Sequence, residues 1–254
     1  MRSLTLLRGG LLSLGFLCIT IGLGAQPLAA GGPKETEHQP TPVYPFDALF
    51  AKRTGKVELE LVVNAQKQLV QATAAKSTGP EFTGAALAYA DVMNLFFAPA
   101  RIPPGQDMVQ FTIPIDFKEA EPGAVILPLA APSQSAVRLI EQFRKDPTGK
   151  FLTPTKALDS PLEVIAQTAP VFPKQIQDTV AFGKAMVEFC IDEDGLVQLP
   201  RVISASDPAF GYAACQSVAE WKFKPPLKGG KPTVTKARVP INFTLKPKTV
   251  KAAE

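Results

Sequence analysis

An internal repeat constrains the fold of this chain more than any other feature of its sequence. Three motifs occur twice in the same order: Pro-Val-aromatic-Pro (42–45, 170–173), glycine (55, 183) and a closing Ile/Val-Pro-Ile-Asp/Asn-Phe (113–117, 239–243). The first two pairs are 128 residues apart and the last pair 126, so two residues are lost inside the repeat before its register resumes. The repeat predicts two homologous modules, residues 42–117 and 170–246.

Each module has the pattern strand, strand, helix, strand. Apolar residues alternate along the first strand of each module, and helical spacing follows after Gly79-Pro80 and Ser206-Asp207-Pro208. The predicted elements are a short helix at 46–52, strands at 57–63, 69–75, 108–117, 185–191, 196–205 and 233–245, and helices at 82–97 and 209–223. We therefore expect an α+β fold of two tandem modules, each a small three-stranded antiparallel sheet packed on one helix.

The amino-terminal segment differs from the rest of the chain. Arg2 and Arg8 precede an apolar stretch, and small residues follow, which is typical of a signal peptide over residues 1–30, cleaved after Ala25 or Ala30. An uncleaved membrane anchor is the alternative, since the stretch approaches the length that spans a bilayer. Cleavage lowers the formal charge from +4 to +2 by removing the two arginines. Residues 31–41 then form a short polar lead-in.

A connector at residues 118–169 lies outside the repeat, and residues 247–254 form a tail. A linker of this length without structure is unusual in a compact domain. The segment 133–145 has the pattern of a helix. We expect that helix to pack on one of the modules.

Two of the three cysteines, Cys190 and Cys215, lie outside the amino-terminal segment. An even pair in an exported protein is a candidate disulfide. The alternative is that both are small buried hydrophobic residues. Alternation along the strand places Cys190 on the same face as Glu188, away from the helix that carries Cys215.

The sequence contains no constellation typical of an enzyme. The single histidine, His38, lies in the lead-in, and Gly229-Gly230 precedes a strand rather than a phosphate-binding helix. The acidic turn 192–194 lacks the spacing of a calcium loop, so we expect a solvated hairpin tip. Basic residues are dispersed without a stripe or aromatic interleaving. We expect no catalysis, no cofactor or metal, and no nucleic-acid binding.

The repeated motifs resemble the carboxy-terminal domain of the TonB energy-transducer family. The resemblance covers both modules and is stronger in the second, where an Asp-Gly turn, an Ala-Ala pair, Trp-Lys-Phe-Lys-Pro and the closing strand motif all occur (192–195, 213–214, 221–225, 239–243). The first module has Lys67 in place of the turn glycine and Leu95 in place of the tryptophan. The resemblance thus implies a second module closer to the family pattern.

The family recognises a short extended segment of outer-membrane receptors by adding it as a strand beside the sheet. The resemblance therefore implies a periplasmic, non-enzymatic protein that binds a receptor or partner segment, with the last strand of each module as the edge. In the second module that edge carries Thr233, Thr235, Ala237, Val239 and Ile241. A structural homodimer joined through edge strands is an alternative from another functional class.

An inner-membrane anchored transducer is the other alternative, and it meets the membrane only if the leader is uncleaved. The family's transducers have a histidine in the membrane helix and a long Pro-rich spacer, whereas residues 1–30 contain no histidine. A lead-in of this length reaches only about 30 Å even as polyproline. The sequence therefore favours an adaptor with the second module as binder.

Overall fold

A computed structural model describes residues 40–66, 68–93, 106–118 and 130–245. The predicted signal peptide, nearly all of the lead-in, and the tail lie outside the described residues. Within those residues, no helix is long and apolar enough to cross a membrane.

The first module has the predicted order of elements. They are α1 (Phe46–Phe50), β1 (Gly55–Asn64), β2 (Leu69–Ser77), α2 (Pro80–Met93) and β3 (Met108–Phe117). The sheet is antiparallel with the order β2-β1-β3. Every second side chain of β1 from Val57 to Val63 is fully buried, because one face of the strand packs on α2. The last residues of the predicted helix, 94–97, lie outside the described residues.

The second module repeats this arrangement around β5 (Phe182–Ile191), β6 (Val197–Ala205), α4 (Pro208–Ala219) and β10 (Thr235–Thr244). Its antiparallel sheet has the order β10-β5-β6, and α4 covers the face that carries Val187 and Phe189. The Asp207 side chain caps the start of α4 by accepting from the Ala209 N–H at 2.8 Å. The predicted α+β fold of two tandem three-stranded modules is confirmed.

The predicted extent of α4 to residue 223 is wrong. The helix ends at Ala219, and Lys222–Phe223 forms the short strand β7, paired with β4 (Val164–Ala166) in the connector. The Trp221 indole N–H donates to the Thr168 carbonyl at 3.0 Å. Pairing with the connector therefore ends the helix before the proline stop signal. The chain then forms the hairpin of β8 (Leu227–Lys228) and β9 (Lys231–Pro232) before β10.

The repeated motifs form equivalent aromatic clusters in the two cores. In the first module Tyr44 meets Phe82 and Phe117 edge to face, with ring centroids 6.3 and 5.9 Å apart. In the second module the corresponding rings are those of Phe172, Phe210 and Phe243. A Cβ on the repeated glycine would overlap the ring, at 2.5 Å for Gly55 and 2.0 Å for Gly183. The repeated motifs thus pack in the same way in both modules.

The connector contains helix α3 (Gln134–Lys145), within the segment where a helix was expected. Its apolar face packs on the side of the second sheet opposite α4, against Cys190 and Leu199. The Arg144 guanidinium donates to the carbonyls of Leu49 and Phe50 at the end of α1. The positive charge complements the negative end of that helix. The connector helix therefore contacts both modules.

The modules also contact each other directly, because α2 packs against α4. The opening segment of each module reaches the helix of the other. Gln216 on α4 accepts from the Val43 N–H at 3.3 Å and donates to the Thr41 carbonyl at 2.9 Å. Asp91 on α2 accepts from the Lys174 N–H at 3.3 Å. The described residues from 40 to 245 accordingly belong to one compact unit.

The candidate disulfide between Cys190 and Cys215 is not present, because both residues are free thiols. Cys215 lies in the core between α4 and the sheet, while Cys190 lies under α3 on the opposite face. The sheet therefore separates the two sulfur atoms. Burial raises the pKa of each thiol to about 12.

We expect these thiols to be unreactive until the protein unfolds. In a chain beginning at Gly31, the native protein should not react with a thiol reagent at neutral pH, because thiolate is scarce and access is blocked. After denaturation without reductant, two thiols per chain should be titrated. Finding none would contradict the free state of both cysteines.

Candidate functional site: the free edge of the second sheet

The candidate site is the outer edge of β10. Among the described strands, β5 is flanked on both sides, whereas β10 and β6 lie at the edges of their sheet. An edge strand presents N–H and C=O groups that another strand can pair with. β10 is therefore an edge strand, as predicted for the last strand of each module.

Pro240 indicates which residues of β10 direct their backbone groups outward. In an antiparallel pair, successive residues point alternately toward and away from the neighbouring strand. Proline cannot donate, so within a sheet its nitrogen faces the free side. The register between β10 and β5 is unbroken from Thr235 to Thr244. The outward residues are therefore the even-numbered ones, which include Lys236, Arg238 and Asn242.

Hydrogen bonds at both ends of the strand agree with this assignment. The Leu245 N–H donates at 2.8 Å to the Ala181 carbonyl, on the β5 side. The Thr153 N–H of the connector donates at 2.9 Å to the Val234 carbonyl on the outer side, and Thr153 forms a parallel bridge with Thr235. Odd-numbered residues thus face β5 and even-numbered residues face outward.

The five predicted binding residues occupy positions that the edge argument did not anticipate. Thr233 precedes the strand, and its hydroxyl lies 2.7 Å from that of Thr153. Thr235 is fully buried and donates to the Thr153 carbonyl at 2.7 Å. Ala237, Val239 and Ile241 direct their side chains toward the core under α4. Their backbone groups face β5, so the outward groups belong to the residues between them.

The connector covers the beginning of this edge. Thr153 occupies the position of an added strand beside Thr235, and the following 3-10 helix, Thr155–Ala157, also contacts β10. The edge that an incoming strand can use therefore begins at about Lys236 and extends to Thr244. Its single missing donor is that of Pro240.

The first module has an equivalent edge at β3. Pro114 occupies the position of Pro240, opposite Glu58 of β1, so the even-numbered residues of β3 also face outward. The Ala130 N–H confirms this by donating to the Asp116 carbonyl at 2.9 Å. Here the connector covers the end of the strand rather than its beginning.

A buried carboxylate lies beside the β10 edge. Glu188 of β5 is 3% exposed and accepts from Arg201 at 2.9 Å and from Arg238 at 2.6 Å. The Lys236 Nζ lies 3.6 Å from the same side chain. Burial opposes ionisation, but the hydrogen bonds from Arg238 and Arg201 outweigh it and lower the pKa of Glu188. The carboxylate is therefore ionised and holds both cations of the edge strand in place.

The acidic turn 192–194 is a structural element of the hairpin. Asp192 is 2% exposed, and its carboxylate accepts from the backbone of Asp194 and Leu196 and from the Gln198 side chain. The expectation of a solvated tip is wrong for this residue, because its oxygens are used within the turn. In the described part of the chain, no group of acidic, histidine or cysteine residues is arranged to hold a metal ion.

Comparison with known proteins identifies the family of the two modules. The family model for the Gram-negative bacterial TonB protein C-terminal matches residues 40–118 and 168–245. Protein TonB of Vibrio cholerae serotype O1 (strain ATCC 39315 / El Tor Inaba N16961) is 29% identical over 89 residues, covering 35% of this chain and 36% of that protein. The chain thus spans about a third of that relative's length.

A solved structure is also similar, the solution NMR structure of the Pseudomonas aeruginosa TonB CTD. It is 26% identical, and the match covers 38% of this chain and 95% of that chain with a TM-score of 0.30. The two segments matched by the family model make up more than half of the sequence and coincide with the two modules. The chain therefore belongs to the TonB C-terminal family and contains two copies of its domain in tandem.

Proposed function

We propose that this protein acts in the cell envelope by capturing an extended protein segment, which adds as a strand to the outer edge of β10. The observation that carries the proposal is the outward set of backbone groups at Lys236, Arg238, Asn242 and Thr244, next to a central strand that is already paired. Main-chain hydrogen bonds supply the affinity in this mode of recognition. Membership of the family supports an outer-membrane receptor as the source of the segment and the periplasm as the location.

The second module is the better candidate for this role. Its edge is open from about Lys236 onward, and two basic side chains flank the open part. The helix α3 covers the far face of its sheet, so α3 and α4 hold β5 from both sides. A strand added to β10 thus pairs with a sheet that is packed on both faces. Little conformational entropy of the sheet is therefore lost on binding. The first module then serves mainly to hold the second in place.

The packing between modules favours an adaptor over a flexible tether. Contacts of α2 with α4 and of Arg144 with α1 join the modules without a free hinge in the described residues. The captured segment is therefore held at one position relative to the first module. An anchored transducer and an edge-paired homodimer are the competing interpretations, and the experiment below distinguishes the homodimer from segment capture.

Replacing Asn242 by proline tests strand addition. The substitution removes an outward N–H and places a ring in the path of the incoming strand, while the pairing of β10 with β5 is retained. We expect the full chain to lose about tenfold or more in affinity for a synthetic peptide that copies an extended segment of an outer-membrane receptor. Isothermal titration calorimetry measures this.

Gln110→Pro is the matched control, since Gln110 is an outward amide residue at the equivalent edge in β3. It should leave the affinity unchanged. A loss of peptide affinity in Gln110→Pro but not in Asn242→Pro would place the binding site on the first module. A stable dimer by light scattering that dissociates in Asn242→Pro and ignores the peptide would favour the homodimer instead.

A further inference from the structure

The edge of β10 has a surplus of positive charge. The side chains of Lys236, Arg238 and Arg201 converge on one carboxylate, that of Glu188. One negative charge neutralises one of three cations, so two positive charges remain on this face of the sheet. The buried position of Glu188 prevents it from approaching a ligand, whereas the cations reach solvent.

Their exposure makes these cations available to a partner. The side chains of Arg238, Arg201 and Lys236 are 59%, 39% and 34% exposed, compared with 3% for Glu188. Each arginine presents five N–H donors, and the contact with Glu188 occupies only part of this set. The Arg201 guanidinium also lies 4.9 Å from the centroid of the Phe46 ring, a cation–π contact that helps to hold it in place. The three cations are therefore both accessible and preorganised.

The geometry of strand pairing brings these charges next to an added strand. Residues directly opposite each other in a sheet direct their side chains to the same face, and oppositely charged pairs at these positions are favourable. Lys236 and Arg238 are outward residues two positions apart, so they lie on one face beside successive same-face positions of the new strand. Thr153 prevents the strand from shifting past Thr235. The register therefore favours contact with this pair.

The edge of the first module has a different character. The outward residues of β3 before its proline are Met108, Gln110 and Thr112, none of which is basic. The neighbouring Glu60 accepts from Gln110 at 3.5 Å, and Glu58 pairs with Lys76 at 3.1 Å. In the described residues of this edge, no surplus of positive charge corresponds to that of β10. The two copies thus present unlike surfaces to a strand.

We infer that the β10 edge selects an extended segment with carboxylate side chains at alternate positions, opposite Lys236 and Arg238, and that this selection distinguishes the second module from the first. The inference rests on the proposed strand addition and specifies the chemistry of its partner. The selected segment is a protein strand with Glu or Asp at positions i and i+2.

Two synthetic peptides of the same β-forming sequence test the inference. One has Glu at two alternate positions, and the other has Lys at those positions. We expect the full chain to bind the Glu peptide about tenfold more tightly than the Lys peptide. Added salt should reduce this preference, because the contacts are partly exposed. Isothermal titration calorimetry at two salt concentrations gives both quantities.

The double variant Lys236→Gln/Arg238→Gln should reduce the preference to about twofold or less. It leaves Arg201 on Glu188, so the buried carboxylate keeps a partner. The matched control is Lys56→Gln/Lys76→Gln, which removes two charges from the first sheet and should leave the preference intact. Circular dichroism verifies folding, and the salt dependence of the unmodified chain tests the inference independently of any variant.

The outcomes separate this inference from the proposed function. If both peptides bind with equal affinity and Asn242→Pro weakens the binding of both, charge selection is overturned and strand addition is retained. A preference that survives in Lys236→Gln/Arg238→Gln and disappears in the control would place the charge contact on the first module and also overturn the inference. Absence of binding by either peptide would overturn both proposals.

Discussion

Gly195→Ala is expected to destabilise the second module by about 3 kcal/mol or more. Gly195 closes the turn between β5 and β6 with φ of +80°, a conformation that residues with a Cβ rarely adopt. A Cβ at this position would lie 2.0 Å from the Phe223 carbonyl oxygen. That oxygen belongs to a fixed backbone, because the Phe223 N–H donates to the Gly195 carbonyl at 2.8 Å and Phe223 is buried. Neither group can move away.

Gly230→Ala separates the two expected causes of destabilisation, the positive φ and the steric contact with Phe223. Gly230 has φ of +73°, similar to that of Gly195, but a Cβ there would meet nothing within 4 Å. Its substitution should therefore cost only about 1 kcal/mol, from the backbone conformation alone. Denaturant unfolding of both variants and the parent chain measures the difference. Equal losses would show that the turn relaxes and that the contact with Phe223 is not limiting.

The two modules and their element order could be predicted because that information is local and repeated. Alternating apolar residues identify β1 and β5, and Pro208 with Asp207 marks the start of α4. The end of α4 could not be predicted in the same way. The helix stops because Lys222–Phe223 pairs with Val164–Ala166, a contact across the connector that no local pattern encodes.

The candidate site was predictable in part. The last strand could be placed at an edge from the family resemblance, but the residues predicted to bind do not include those whose backbone groups face outward. A signal for the outward set was present in the sequence, since a proline within a strand indicates that its nitrogen faces the free side. The cover by Thr153 and the convergence of Arg201 on Glu188 depend on contacts distant in sequence. Those features could therefore be identified only from the folded structure.

The stability of the protein is expected to decrease as the pH rises from about 4 to about 8, because of Asp91. This residue is 3% exposed, and one of its carboxylate oxygens is buried without a hydrogen-bond partner. Burial raises the pKa of Asp91 to about 7, although the backbone hydrogen bond and the positive charge of Lys174 oppose that shift. The carboxyl group is therefore protonated in the folded chain under conditions where it ionises in the unfolded chain.

The sign of the effect follows from proton binding. Between the unfolded and folded pKa values, the folded state holds one more proton, so the free energy of unfolding falls as the pH rises through this range and levels off above about pH 7. A rise of the Asp91 pKa from 3.8 to about 7 corresponds to a loss of about 4 kcal/mol in the free energy of unfolding, at about 1.4 kcal/mol for each pKa unit. Glu188 has a lowered pKa and acts in the opposite direction only at more acidic pH.

Asp91→Asn isolates this contribution, because the amide retains the shape of the side chain and cannot ionise. The unfolding free energy of Asp91→Asn, measured with denaturant at about pH 4 and about pH 8, should lack the decrease seen in the parent chain. Asp178→Asn, at an exposed position, is the matched control, and its free energy of unfolding should decrease with pH as in the parent chain. Parallel pH profiles for the parent chain and Asp91→Asn would contradict the assignment.

The position of Asp91 makes this a property of the contact between modules. Asp91 belongs to α2 of the first module, whereas Lys174 follows the aromatic-Pro motif of the second. The Lys174 ammonium also donates to the Leu69 carbonyl at the start of β2, and burial lowers the pKa of that amine. Ionisation of Asp91 buries a carboxylate at this junction, and the attraction of the Lys174 ammonium only partly offsets the cost of desolvation. The cost of ionisation therefore falls on the packing that joins the modules, and we expect amide exchange to increase first at α2 and the segment around Lys174.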